Sequence, residues 1–231
     1  MLKWICGKTY WAITMASLAG ATAMLRVYTP VEATMGPIQK VFYVHLPSAI
    51  NAFAACLLVC VASVGYLAQR KTAWDDLGAA AAKVAVILCT VMLLSGMVWG
   101  RYAWGKWWTW SPRLTFSLLL WLLYVVYLII RSSIESPRQR ATVAAVYGVV
   151  AFLDVPLVWL SVRLMPDIHP TSVTLAPEMK LTLAVWFLPV TLIMIGLVGG
   201  FYRAARQRAL RRQMLQAEGE ADWSAKPAGP H

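Results

Sequence analysis

Apolar residues in this chain gather into six runs, and short clusters of Lys, Arg, Pro and Gly separate them. The runs cover residues 9–25, 45–67, 84–99, 114–130, 141–162 and 181–202. Each is close to the ~20 residues with which an α-helix crosses the hydrocarbon core of a bilayer. The pattern predicts an all-α, polytopic membrane protein built as a bundle of six transmembrane helices. The first run has the length of a secretory signal, but the second follows within about 20 residues and no small-residue cleavage site stands out. It is therefore read as a retained helix.

Orientation follows from the Lys and Arg bias of the connecting segments. If both termini are cytoplasmic, 14 of the 21 Lys and Arg fall on the inner side, from Lys3 and Lys8 to the Arg-rich tail, and 7 fall outside. The segments 27–44, 100–113 and 163–180 then face outward. The domain plan is one membrane unit over 1–202, carrying an outer tryptophan-rich loop at 99–115. A basic cytoplasmic tail follows over 203–231, read as a short helix and then a disordered end. No internal repeat is evident.

Composition sharpens the class. The chain is 60% hydrophobic and 13% charged, with mean hydropathy +0.62. A soluble domain of 231 residues needs far more charge to cover its surface. The net charge of +11 raises a nucleic-acid reading. The positions of the charges exclude it, because most basic residues sit between the apolar runs as topology determinants. Of the four cysteines, Cys56, Cys60 and Cys89 lie inside apolar runs and Cys6 does not. None forms C-x-x-C or C-x-x-C-H, so they read as packing residues, and the chain is not itself a c-type cytochrome.

The chemistry concentrates between the third and fourth runs. Trp99, Trp104, Trp107, Trp108 and Trp110 fall within twelve residues, with Tyr102 among them. Gly100, Gly105, Arg101, Lys106 and Arg113 are interleaved or close by. An interfacial aromatic belt accounts for one or two Trp per helix end and not for five in one loop. Indole faces stack on flat apolar rings, and Gly lets a backbone turn or approach closely. Arg and Lys pair with carboxylates such as haem propionates. The same stretch holds most of a P-loop, Gly100 to Lys106, but Trp107 replaces the hydroxyl residue and no strand precedes it, so nucleotide binding is excluded. Two histidines lie on the same predicted membrane face: His45, at the mouth of the second run, and His169, in the third outer segment. Two imidazoles converging on one ligand suit axial ligation of haem iron. His231, in the tail, is assigned no role.

These residues resemble the CcmC family, haem exporter protein C, among haem-handling membrane proteins with a tryptophan-rich motif. The family pattern W-G-x-x-x-W-G-x-W-W-x-W-D, followed by Arg and Leu-Thr, is matched at Trp99, Gly100, Trp104, Gly105, Trp107, Trp108, Trp110, Arg113, Leu114 and Thr115. The stretch from Phe42 to Pro47 resembles its F-Y-x-H-x-P, and Ser161-Val162 with the later His169 follow in the family's order. The resemblance covers about residues 9–202. Two departures stand out: Ser111 occupies the place of the family's Asp, and Asp154 lies where an amide is commoner. An intramembrane acid is a functional candidate by default.

The resemblance implies non-covalent haem b on the tryptophan loop, with His45 and His169 as axial iron ligands and Arg101, Lys106 or Arg113 on a propionate. It implies a protein of the bacterial inner membrane that presents haem to a periplasmic haem chaperone during c-type cytochrome biogenesis. An ABC-type ATPase and small membrane subunits are the implied partners, beside membrane lipid. No nucleophile or acid–base pair is visible, so the chain is not read as an enzyme. The alternative is a permease subunit exporting haem or another substrate, for which Asp154 is the strong polar candidate inside the spans. A third reading makes the loop an interfacial anchor only.

Overall fold

A computed structural model describes residues 7–170 and 173–225 of the chain. Its helices are α1 (Lys8–Val27), α2 (Phe42–Gln69), α3 (Thr72–Trp104), α4 (Pro112–Ser133), α5 (Pro137–Ala151), α6 (Asp154–Leu164) and α7 (Pro177–Ala225). A 3-10 turn, Pro37–Val41, leads into α2. In hydrocarbon every backbone donor and acceptor must be satisfied within the segment, which is why the apolar runs fold as helices.

Among the described residues, five segments are long and apolar enough to span a membrane: Pro37–Gln69, Thr72–Trp104, Pro112–Ser133, Pro137–Leu164 and Pro177–Glu218. The first predicted span, α1, is richer in Ala, Thr and Gly and falls outside that set. Its 20 residues nevertheless reach about 30 Å, the depth of the core. It lies antiparallel on α7. The Tyr10 hydroxyl donates to the Leu192 carbonyl, the Trp186 indole donates to the Ala21 carbonyl, and Thr29 shares a hydrogen bond with Thr182. At the outer end Lys40 Nζ donates to the Leu25 carbonyl, one of those left open where α1 stops.

Helices α2 and α3 pack along their length and form the spine, joined by a tight turn at Arg70, whose φ is +56°. Their contact is lined by Ala52, Ala55, Cys56, Val59, Ala81, Val84, Ala85 and Cys89, all buried. Small side chains suit this place, because helices in lipid associate through close packing rather than through exclusion of water. Around the spine stand α4, α5 and α7, with α6 against α4.

Two boundaries differ from the sequence pattern. The fifth run is not one helix. It breaks after Ala151 and restarts at Asp154, because Pro156 has no N–H to donate to the carbonyl of Phe152 and its ring clashes there. The tail does not leave the helix soon after residue 203, since α7 continues to Ala225. Cys6, His231 and residues 226–231 lie outside the described residues.

Candidate functional site

The outer ends of α2, α3, α4 and α6 enclose a cleft with the loop before α7. It holds about 800 Å3 counted to its open mouth. Its walls are mainly apolar, from Phe42, Leu46, Phe53, Met92, Met97 and Leu114. Both predicted histidines line it, and so do Trp99, Trp104, Trp108 and Arg113.

His45 sits in the first turns of α2 and points at α3. Its Nδ1 lies 3.1 Å from Ser95 Oγ. That hydroxyl spends its own proton on the Val91 carbonyl, 2.6 Å away, so Ser95 accepts from the imidazole. This arrangement favours the tautomer with the proton on Nδ1, which leaves the Nε2 lone pair for a ligand. Gly96 makes the approach possible: a Cβ there would stand 3.0 Å from His45 Cε1. The Trp99 ring closes the other side, edge-on to His45 at 6.0 Å and to Phe42 at 5.6 Å.

His169 reaches the cleft from the loop between α6 and α7. Its Nδ1 is 3.0 Å from the Pro170 carbonyl, which accepts the proton and again leaves Nε2 free. The Trp104 ring lies edge-on at 6.5 Å. Burial, and next the Arg113 cation, push the His169 imidazole below its ordinary pKa. The ring is therefore neutral at physiological pH.

Asp167 holds this loop in place, and sequence reasoning gave it no role. Its Oδ1 accepts the His169 N–H at 2.8 Å, and its Oδ2 accepts the Arg113 N–H at 2.7 Å. Arg113 is the second residue of α4, so Asp167 caps that helix from a distant loop. The N-cap residue itself, Ser111, contributes no side-chain bond. Asp167 therefore satisfies one of the four N–H groups left open at that end. The Asp-x-His spacing, suited to a local side-chain turn, was the available signal. Replacing Asp167 by Ala is expected to cost about 1–3 kcal/mol of stability, read by thermal melting with tryptophan fluorescence. Adding Ser111→Asp should recover much of that loss through the cap. A melting point unmoved by Asp167→Ala would show that the two hydrogen bonds do not hold the loop.

The tryptophan stretch divides between two environments. Residues 99–104 are the last turns of α3, and Gly105, at φ +72°, ends the helix. Trp99 is buried, and Trp104 and Trp108 are half-buried in the cleft wall. Trp107 and Trp110 are 56% and 75% exposed and do not line it. Arg101 and Lys106 are exposed as well, with Arg101 bonded to the Gly105 carbonyl. Only Arg113 of the three cations faces the cleft, and no carboxylate of the described residues is within ion-pair distance of it. Gly100 packs against a tryptophan of its own helix. A Cβ there would stand 3.1 Å from the Trp104 ring, so its missing side chain makes room for that indole. The indole nitrogens of Trp99 and Trp108 are buried without a hydrogen-bond partner among the described residues.

Asp154 is buried one turn before Val158, which lines the cleft, but it is not itself a lining residue. Neither carboxyl oxygen has a partner among the described residues.

Residues 1–225 match the family model described as CcmC, heme exporter protein C. Heme exporter protein C of Rhodobacter capsulatus is 33% identical over 150 residues, which is 65% of this chain and 60% of that protein's length. Its counterpart in Paracoccus denitrificans is 29% identical over 189 residues, 80% of this chain and 78% of the other. The one in Bradyrhizobium diazoefficiens is 29% identical over 241 aligned positions, 99% of this chain and 88% of the other. With nearly its full length matched and with the cleft formed by the residues of the motif, the chain belongs to the CcmC family, heme exporter protein C.

Proposed function

We propose that this chain holds haem b non-covalently in the outer cleft and presents it to a periplasmic haem chaperone during c-type cytochrome maturation. The observation that carries the reading is the pair of imidazoles, His45 and His169, on one apolar cleft with Nε2 free on each. A histidine that binds a metal through one nitrogen commonly donates its other N–H to a fixed acceptor, and Ser95 and Pro170 fill that role here. The other residues fit the same group. Trp99, Trp104 and Trp108 give flat apolar walls, and Arg113 offers a guanidinium that has no acid within ion-pair distance among the described residues. When bound, haem contributes the iron that accepts the two imidazoles and the vinyl groups through which it is later attached.

Each residue then has a defined task. His45 is held by α2 and α3, the bundle's spine, and serves as the fixed ligand. His169 hangs on a loop tied by Asp167, and serves as the ligand that can be withdrawn. Trp107 and Trp110 stand outside the cleft and face whatever docks there. An ABC-type ATPase and small membrane subunits are the proposed assembly partners, and the bacterial inner membrane is the proposed location. A permease subunit is the other reading, supported by the unpartnered Asp154 carboxyl within the fifth crossing.

Protein purified from haem-replete cells is expected to show a low-spin, six-coordinate haem spectrum, with all haem extracted by acid–acetone. Haem that stays on the polypeptide would overturn the non-covalent assignment. Absence of a Soret band in properly inserted protein would overturn haem binding altogether.

A further inference from the structure

At the opposite end of the bundle lies a second, larger cleft that haem handling does not use. It encloses about 1570 Å3 up to its open mouth. The α2–α3 turn, the start of α5 and the extension of α7 form its walls, contributing Arg70, Arg138, Arg140, Arg206 and Arg212. Its two acids are already engaged. Asp75 is held by both guanidinium nitrogens of Arg131, and Asp76 lies 3.6 Å from Arg206. Among the described residues, Arg70, Arg138, Arg140 and Arg212 have no acid partner. Arg70 is nonetheless positioned, since it donates to Thr142 Oγ1 at 3.0 Å and lies over the Tyr66 ring at 5.7 Å. Four unpaired guanidiniums around one concavity form an anion site, and Arg is the side chain whose planar fork matches phosphate oxygens.

The occupant follows from the place. The termini mark this as the cytoplasmic end on the topology that the charge bias predicts. One helical turn before Arg206, Tyr202 lines an apolar crevice on the same face of α7, together with Leu58, Trp74, Leu77, Met194 and Val198. An apolar crevice of about 960 Å3 beside a basic cleft at the membrane surface suits an acyl chain and a phosphate headgroup. Basic pockets between helices on that side of a membrane bind anionic headgroups. We propose that this cleft binds the phosphate of an anionic phospholipid of the inner leaflet. The lipid would brace the α7 extension against α5 and the α2–α3 turn.

The test uses the full chain in detergent, titrated with phosphatidylglycerol, cardiolipin or phosphatidylcholine and read by native mass spectrometry. The anionic lipids should be retained at least about tenfold better than phosphatidylcholine. Arg138→Gln with Arg140→Gln should weaken that retention about tenfold. Arg208→Gln with Arg211→Gln, which removes equal charge from α7 outside the cleft, should change it less than twofold. If the first pair fails to insert, Arg212→Gln alone carries the test with an expected loss of about threefold. Equal losses in the cleft and control pairs would mean general surface charge and overturn the site. Displacement of the lipid by millimolar inorganic phosphate would make it a free-anion site and overturn the lipid. Full lipid retention by the cleft pair, with loss only of co-purifying membrane subunits, would make it an acidic-protein surface and equally overturn it.

Discussion

His45→Ala protein is expected to lose the six-coordinate haem spectrum and most of its haem, and His169→Ala to lose the spectrum with a smaller fall in haem content. The two differ because of what holds each ring. His45 is wedged between Gly96, Trp99 and Ser95 on the α2–α3 spine, so removing it vacates an enclosed position that added imidazole reaches less readily. His169 rides on a loop whose Asp167 accepts from the His169 and Arg113 backbone N–H groups, and exogenous imidazole can replace a ring presented in that way. Added imidazole should therefore restore the six-coordinate spectrum more fully in His169→Ala than in His45→Ala. Losing an outer-shell partner typically costs 10–100-fold in metal affinity. Ser95→Ala should fall in that range, below the loss from His45→Ala itself, while His231→Ala should change nothing. Optical spectra and haem per mole of membrane-inserted protein measure all of this. If both alanine variants keep the parent spectrum, these residues do not ligate iron.

The second large effect separates the tryptophans. Trp104→Ala with Trp108→Ala should lower haem affinity strongly, because both rings form the cleft wall. Stacking of an aromatic ring on a flat partner is worth roughly 1–3 kcal/mol per ring, on the scale measured with nucleic-acid bases. Two rings would then amount to roughly two to four orders of magnitude in affinity. Trp107→Ala with Trp110→Ala should leave haem binding within about threefold, because these rings point outward. It should instead slow haem transfer to the docking chaperone. Phe at 104 and 108 should retain most binding, since it keeps a flat apolar face. Haem affinity and transfer rate, measured for both pairs side by side, give the answer. Equal haem loss in the two pairs would show that the stretch acts as one platform after all. No haem loss in either pair would reduce it to an interfacial anchor.

What the chain's sequence determined by itself is the class of fold and the end of the bundle at which the tryptophans and the two histidines lie. Bilayer-length apolar runs permit little except helices, because lipid offers backbone groups no other partner. The third and fourth runs had to bring a tryptophan cluster to one membrane face, and the second and fifth runs had to leave His45 and His169 on that same face. Parity along a membrane-crossing chain decides this, without any detail of packing. Parity did not decide which rings face inward. Trp99 and Trp104 belong to the last turns of α3, but Gly105 turns the backbone at φ +72°, and beyond it helical phase says nothing about Trp107, Trp108 or Trp110. Nor could sequence show that Gly100 is a socket for the Trp104 ring, since that requires knowing where a side chain five residues from Trp99 folds back. The partners of Ser95 and Asp167 were equally hidden. Each bonds across elements, Ser95 to a residue 50 positions away and Asp167 to one 54 positions away. The tertiary structure alone decided these, because hydrogen bonds select among tautomers and loop positions only after the helices have placed their ends side by side.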